Sequence, residues 1–296
     1  MNPRRITVAL LAILVFLGAL AMGQPKKRIA VSRFADGSGY HGCGAGVADM
    51  LATALVKTKK FSVIERKEIE KVMEEQKLGL SGMVTPETAP AVGKLLGVDL
   101  LVIGSVSELG TSKRDIGGGI NIFGAGISKS QARAAVDIRL VNTTTGEIIA
   151  AETEEGTEST LGFKGSYESL HFDNVSEWND TDIGKAAREA IDKTVELIVD
   201  NSANIPWSGR VLKVNADGTL LMKPGSEGNV AEGMEFDVYQ LGEEVKDPDT
   251  GLSMGSEETK IGQIVVIGDA LNGKAAKAKV SSGSGFKAGD IVREQK

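Results

Sequence analysis

An α/β domain followed by a small all-β domain is the fold that the sequence predicts, on three observations. Short apolar stretches alternate with stretches of helical period from Arg28 to about Pro206. Within that span ARAAVDIRLVN and EIIAAETEE alternate residue by residue on either side of a polar turn. From Trp207 onward the helical period stops and turn signals arrive at short intervals. The 296 residues, 41% hydrophobic and 25% charged, suit two ordinary globular domains.

RIAVSRF (28–34) reads as the first strand, and after a glycine-rich loop Val47, Met50, Leu51, Ala54 and Leu55 recur at helical spacing. FSVIE (61–65) is a second strand. Ile69, Val72 and Met73 mark a second helix, and TPETAPAVGKLLG a third that starts with Pro86 near its first turn and stops at Gly97. DLLVIGSV (99–106) is the most apolar strand, which places it at the sheet's centre. The two alternating runs then form a hairpin around Asn142–Gly146. A last helix, capped by Asp180, presents Ile183, Ala187, Ala190, Ile191, Thr194 and Ile198 on one face. Beyond it, NADG, KPGSEG, DPDTG, ALNG and SSGSG punctuate short strands, so residues 207–296 are expected to form a small β-barrel or SH3-like domain.

The N-terminal MNPRRITVALLAILVFLGALAMGQ has Arg4 and Arg5, an apolar run from Ile6 to Leu20 and a small-residue cleavage site before Gln24, the pattern of a signal peptide over residues 1–23. An uncleaved anchor is the alternative, though the apolar run is short of the roughly 20 residues that span a bilayer. With one cysteine, Cys43, no intrachain disulfide can form, and no cysteine follows the apolar run to accept a lipid. A net charge of −6 without a basic stripe excludes a nucleic-acid surface.

Two glycine motifs point to phosphate chemistry and fall short of it. Gly37–Gly42 fits G-x-G-x-x-G between a strand and a helix, with Glu65 placed as a ribose-binding acid would be, but nothing in the chain serves hydride transfer. Gly124–Ser130 offers Lys129-Ser130, yet Ser128 stands where a phosphate loop requires glycine. The two histidines, His41 and His171, belong to no metalloprotease or nucleophile motif, so no catalytic residue, cofactor or metal is expected.

IAVSRF, VADMLATAL, FSVIERKEIEKVMEEQ, LLVIGSV and above all AAVDIRLVNTTTGEIIAAE resemble the CsgG family, outer-membrane secretion channels for curli amyloid subunits and their holdfast-anchoring relatives, over about residues 28–203. The resemblance implies a three-layer periplasmic domain with a mixed sheet over residues 24–206, assembled into a homo-oligomeric ring. It also implies two β-hairpins, at about 107–135 and 156–178, that join a shared transmembrane barrel through Ile120, Ile122, Phe123, Leu161, Phe163, Leu170, Phe172 and Trp178. The family's constriction loop falls on GSGYHGCG, making Tyr40 and His41 the pore-lining residues. The implied partners are secreted fibre or adhesin subunits, or periplasmic accessory proteins, at the periplasmic side of the outer membrane.

The chain departs from that pattern in four places. Lys113, Arg114 and Asp115 are consecutive, so at least one charge would face lipid; the lipidation cysteine is absent; and the constriction loop is glycine-rich. Finally, the C-terminal domain is extra, and its GMEFDVYQLGEEVKDPDTG and FKAGDIVRE resemble the C-terminal module of the flagellar assembly protein T. A soluble periplasmic ring or interaction protein, of the flagellar-ring or penicillin-binding-protein-activator type, therefore stands as the alternative to a channel.

Overall fold

The computed structural model describes residues 23–75, 84–85, 88–115, 127–163, 181–246, 248 and 253–295, which divide into two compact units. The first, residues 27–205 with the described part of 246–255, holds a mixed sheet. Its strands are β1 (Lys27–Val31), β2 (Ala35–Asp36), β3 (Phe61–Ile64), β4 (Leu100–Asp115), β5 (Ile127–Asn142) and β6 (Ile148–Phe163). They run in the order β3-β1-β4-β5-β6, with β2 paired to β4. β1 is parallel to β3 and β4, whereas β4, β5 and β6 are antiparallel.

Both faces of this sheet are covered. Leu100, Val102 and Leu140 pack on one side with α1 (Cys43–Lys57) and α4 (Asp182–Ser202), while Leu101 and Val141 pack on the other with Ile69 of α2 (Arg66–Glu75) and Val92 of α3 (Ala89–Leu96). That is why β4 begins as a continuous apolar run: successive side chains point to opposite faces, and here both are dry. The expected central place of β4 is correct, but the strand runs on to Asp115, well past the apolar stretch.

Two helix starts differ from expectation. α3 begins at Ala89 behind Thr88, with Pro90 in its first turn, and Pro86 lies outside the described residues. Gly97 ends it in the left-handed region, at φ 63°, as a C-terminal glycine should. The cap of α4 is Thr181, whose hydroxyl accepts from the Gly184 N–H at 3.1 Å; Asp180 is outside the described residues. Asp and Thr both serve as caps, and here the chain path chooses Thr181 although Asp is the stronger capping residue type.

The second unit comprises residues 23–26, 206–245 and 256–295. Its strands are β7 (Ser208–Val214), β8 (Thr219–Lys223), β9 (Glu235–Lys246), β10 (Ser253–Ala270), β11 (Ala275–Gly283) and β12 (Ile291–Glu294). They close into a barrel in the order β10-β11-β8-β7-β12-β9. The alternation along β8 and β11 sends Leu220, Met222, Ala276 and Ala278 inward, where they meet Trp207 stacked on Phe236 with ring centroids 5.0 Å apart. The Trp207 indole N–H donates to the Lys26 carbonyl.

Candidate functional site

The functional features expected of the first unit converge at one end of its sheet. β2 lies beside Ser105 and Val106 of β4, and the Gly37 N–H donates to the Val106 carbonyl at 2.9 Å. The Gly37–Gly42 loop therefore sits where β4 passes beyond its parallel neighbours. Within it, Asp36 is the organising group. One carboxylate oxygen accepts from the Gly42 N–H at 2.8 Å, the other from the Gly44 N–H at 2.7 Å. Burial alone would raise the Asp36 carboxyl, but these amides outweigh it and hold the group below the ordinary range.

That geometry overturns the dinucleotide alternative. A phosphate on this motif would need the free amides at the start of α1, and Asp36 has taken them. Gly42 adopts φ 83°, and a side chain on Gly44 would collide with the Phe34 carbonyl, so the glycines serve the turn and the close packing of helix on strand. Burial, then the Asp36 charge, pushes the Cys43 thiol up, leaving it an unreactive packing residue. Tyr40, 42% accessible, and His41 sit exposed at the loop's crest.

Beside the loop, β4, β5 and β6 continue together as a three-stranded extension. β4 and β5 remain in register to the pair Asp115 with Ser128, and β5 and β6 to the pair Ile127 with Phe163. At 16 residues each, these strands reach about 50 Å. The first expected hairpin is thus present as a strand pair. The outgoing arm of the second, Gly156–Phe163, is the continuation of β6 on β5; Leu161 and Phe163 pair there with Lys129 and Ile127. Ile120, Ile122, Phe123, Leu170, Phe172 and Trp178 lie outside the described residues.

α4 covers the root of the extension. Ala132 and Ala134 are fully buried with Ala186, Ala187 and Ala190, and a side chain on Gly156 would fall 1.9 Å from the Ala186 carbonyl oxygen. The same helix closes the free edge of β6: Glu189 accepts from the Thr157 N–H at 2.8 Å, and Lys193 donates to the Glu155 carbonyl at 2.6 Å. The Lys193 ammonium and the Thr157 amide hold the Glu189 carboxyl below its ordinary value. Arg133 bridges Glu108 and Glu155 at 3.2 and 2.7 Å, all three side chains about half exposed. These edge and bridging groups carry no sequence motif; only the i,i+4 spacing of Glu189 and Lys193 hints at a pair.

The family model for the curli production assembly/transport component CsgG matches residues 14–217, more than two thirds of the chain. The chain belongs to the CsgG family. No curated protein matches it. Among solved structures, the lipoprotein GNA1162 from Neisseria meningitidis is 18% identical, with 60% of this chain and 99% of that one covered and a TM-score of 0.33. The C-terminal domain of LpoB from Salmonella enterica is 15% identical, with 46% and 85% covered and a TM-score of 0.33. The PelC dodecamer from Paraburkholderia phytofirmans is 11% identical, with 57% and 86% covered and a TM-score of 0.30. At such scores the likeness says nothing of what the present chain does. No helix among the described residues is long and apolar enough to cross a membrane, which leaves β-strands untested.

Proposed function

We propose that this CsgG-family protein is a non-enzymatic, ring-forming component of a secretion or anchoring assembly at the periplasmic side of the outer membrane. The observation that carries the reading is the β4–β6 extension. Beyond Val106 on one side and Thr157 on the other, no neighbouring strand among the described residues covers its two edges. An unsatisfied edge is a template for another strand, and joining the β4 edge of one copy to the β6 edge of the next is a head-to-tail contact that closes into a ring. Tyr40 and His41, at the root of the extension, then face the ring axis and narrow it. The hairpins at about 107–135 and 156–178 are the parts that would insert into the membrane, and the barrel of the second unit would serve as an SH3-like docking module.

A second reading, a ring that stays in the periplasm, draws support from one feature of the extension. Between β4 and β5 its outermost described rungs pair Lys113 with Ser130, Arg114 with Lys129 and Asp115 with Ser128, polar residues where a membrane strand would be entering lipid, although β5 and β6 go on to Ile127 with Phe163. Fractionation combined with electron microscopy separates the two. Rings recovered from outer membranes only with detergent support the channel; rings released by salt or osmotic shock support the periplasmic form; a monomer in both fractions overturns the proposal.

A further inference from the structure

One wall of the C-terminal barrel departs from the acidic character of the chain. Along β7, β8 and β11 the residues Val211, Leu220, Met222, Ala276 and Ala278 point into the core. Their neighbours must therefore face out. Those outward positions are Arg210, Lys223, Lys277 and Lys279, to which a register shift after Val211 adds Lys213. The shift inserts Leu212 as an extra residue, so that Leu212 and Lys213 are both exposed. Arg210 lies directly across from Lys223, a like-charge pairing that costs stability. Acids border this wall at two described places: Asp217 in the β7–β8 turn, 3.6 Å from the Lys277 ammonium, and Asp269 of β10, which accepts from the Ser226 N–H. On the other strands stand exposed Glu235 and Glu243 of β9, Glu257 of β10 and Glu294 of β12, while buried Asp237 is paired with Lys260 and Glu258 with Arg293.

Apolar and cationic residues share one row across the wall. Lys213 pairs with Leu221, Leu221 with Lys277, and Lys277 with Gly268, so one line crosses four adjacent strands. Leu212 and Ile267 stand on this line at 38% and 40% accessibility, Ile267 again at a register shift. The row is about 15 Å long, since strands lie ~4.8 Å apart.

We propose that this wall docks the barrel onto an anionic phospholipid surface. The leucine and isoleucine side chains enter the interface while the surrounding lysines meet lipid phosphates, and the acidic remainder of the barrel is turned away by repulsion. A soluble polyanion would be matched by the cations but gives no use to exposed Leu212 and Ile267. Such docking is independent of whether the extension inserts into a membrane.

The test uses the full mature chain and co-sedimentation with phosphatidylcholine vesicles, with and without phosphatidylglycerol. Binding is expected only with phosphatidylglycerol and should fall steeply with added salt. The triple change Lys213→Gln, Lys277→Gln, Lys279→Gln should weaken it by tenfold to a hundredfold, in keeping with about 1 kcal/mol per cation at such a surface. The pair Leu212→Ser, Ile267→Ser should weaken it while leaving circular dichroism and particle size unchanged. Equal binding to both vesicle types, salt-insensitive binding, or parent-like binding by both variants overturns the proposal. So does competition by soluble polyglutamate as effective as that by phosphatidylglycerol vesicles, which would assign the wall to an acidic polymer.

Discussion

Asp36 satisfies two backbone amides at the start of α1 and, in doing so, fixes the loop that lifts Tyr40 and His41. Asp36→Ala should lower stability by about 1–2 kcal/mol, the usual cost of a lost cap, read as a shift in the urea midpoint; Asp36→Asn should lose less, because an amide oxygen still accepts. Tyr40 and His41 belong to a functional test: if they narrow a pore, replacing both with glycine raises single-channel conductance in a planar bilayer, and unchanged conductance removes them from the lumen. In the barrel, burial would raise the Asp237 carboxyl, but hydrogen bonds from Lys260 at 2.7 Å and Gln263 at 3.0 Å hold it low. A depressed carboxyl stabilises the fold above its unfolded pKa of about 3.9, and that contribution is lost as pH falls through the lower folded value. Asp237→Asn should therefore be less stable than the parent at neutral pH, with the gap narrowing below about pH 4 in thermal melts. Only part of this was legible in the sequence. The glycines of the loop announced a turn, but the acid that fills it precedes the motif and has no fixed spacing, and Asp237 finds its partners 23 and 26 positions away.

Among the elements, α4 and β6 depend on each other through a single missing side chain. Gly156→Ala places a methyl where the Ala186 carbonyl sits, so the helix must move off the strand; a cost of about 1–3 kcal/mol is expected, together with weaker amide-exchange protection at Thr157. Glu189→Ala should change stability by less, since the hydrogen bond and the ion pair that it removes are both exposed, but it bares the β6 edge and should raise aggregation on concentration. The strands and helices of the first unit could be read from periodicity because both layers press on the sheet: Leu101 and Val102 each have a helix to meet. The length of β4 could not. From Ser107 onward Leu109 is its one buried apolar side chain among the described residues, the rest follow a polar pattern, and polar strands look like loops when read singly. For the same reason the two hairpins that the family resemblance implies appear as three strands of one sheet as far as they are described.

For the whole molecule, the decisive quantity is the number of copies that assemble. Light scattering of the purified, detergent-extracted protein at micromolar concentrations should give a discrete oligomer; a monomer throughout would remove the ring. A chain ending at residue 206 should still form that ring if the barrel is a docking module, and loss of assembly would move the barrel into the ring interface. Whether the expected hairpins cross a membrane is asked by Ile122→Asp and Phe123→Asp, which would face opposite sides if that run is a membrane strand. A lipid-facing aspartate should abolish heat-modifiable oligomer in outer-membrane fractions while the lumen-facing one is tolerated; two silent variants favour the periplasmic ring. The helix that closes the β6 edge also imposes a chronology. α4 follows β6 in the chain, so if the protein is exported N-terminus first, as the proposed function implies, the edge is presented before the residues that shield it have emerged. During that interval two nascent copies can zip together wrongly. Export under heavy expression should accordingly yield misjoined aggregate, holding back translocation should worsen it, and a periplasmic chaperone that binds extended strands should relieve it without changing the ring that survivors build.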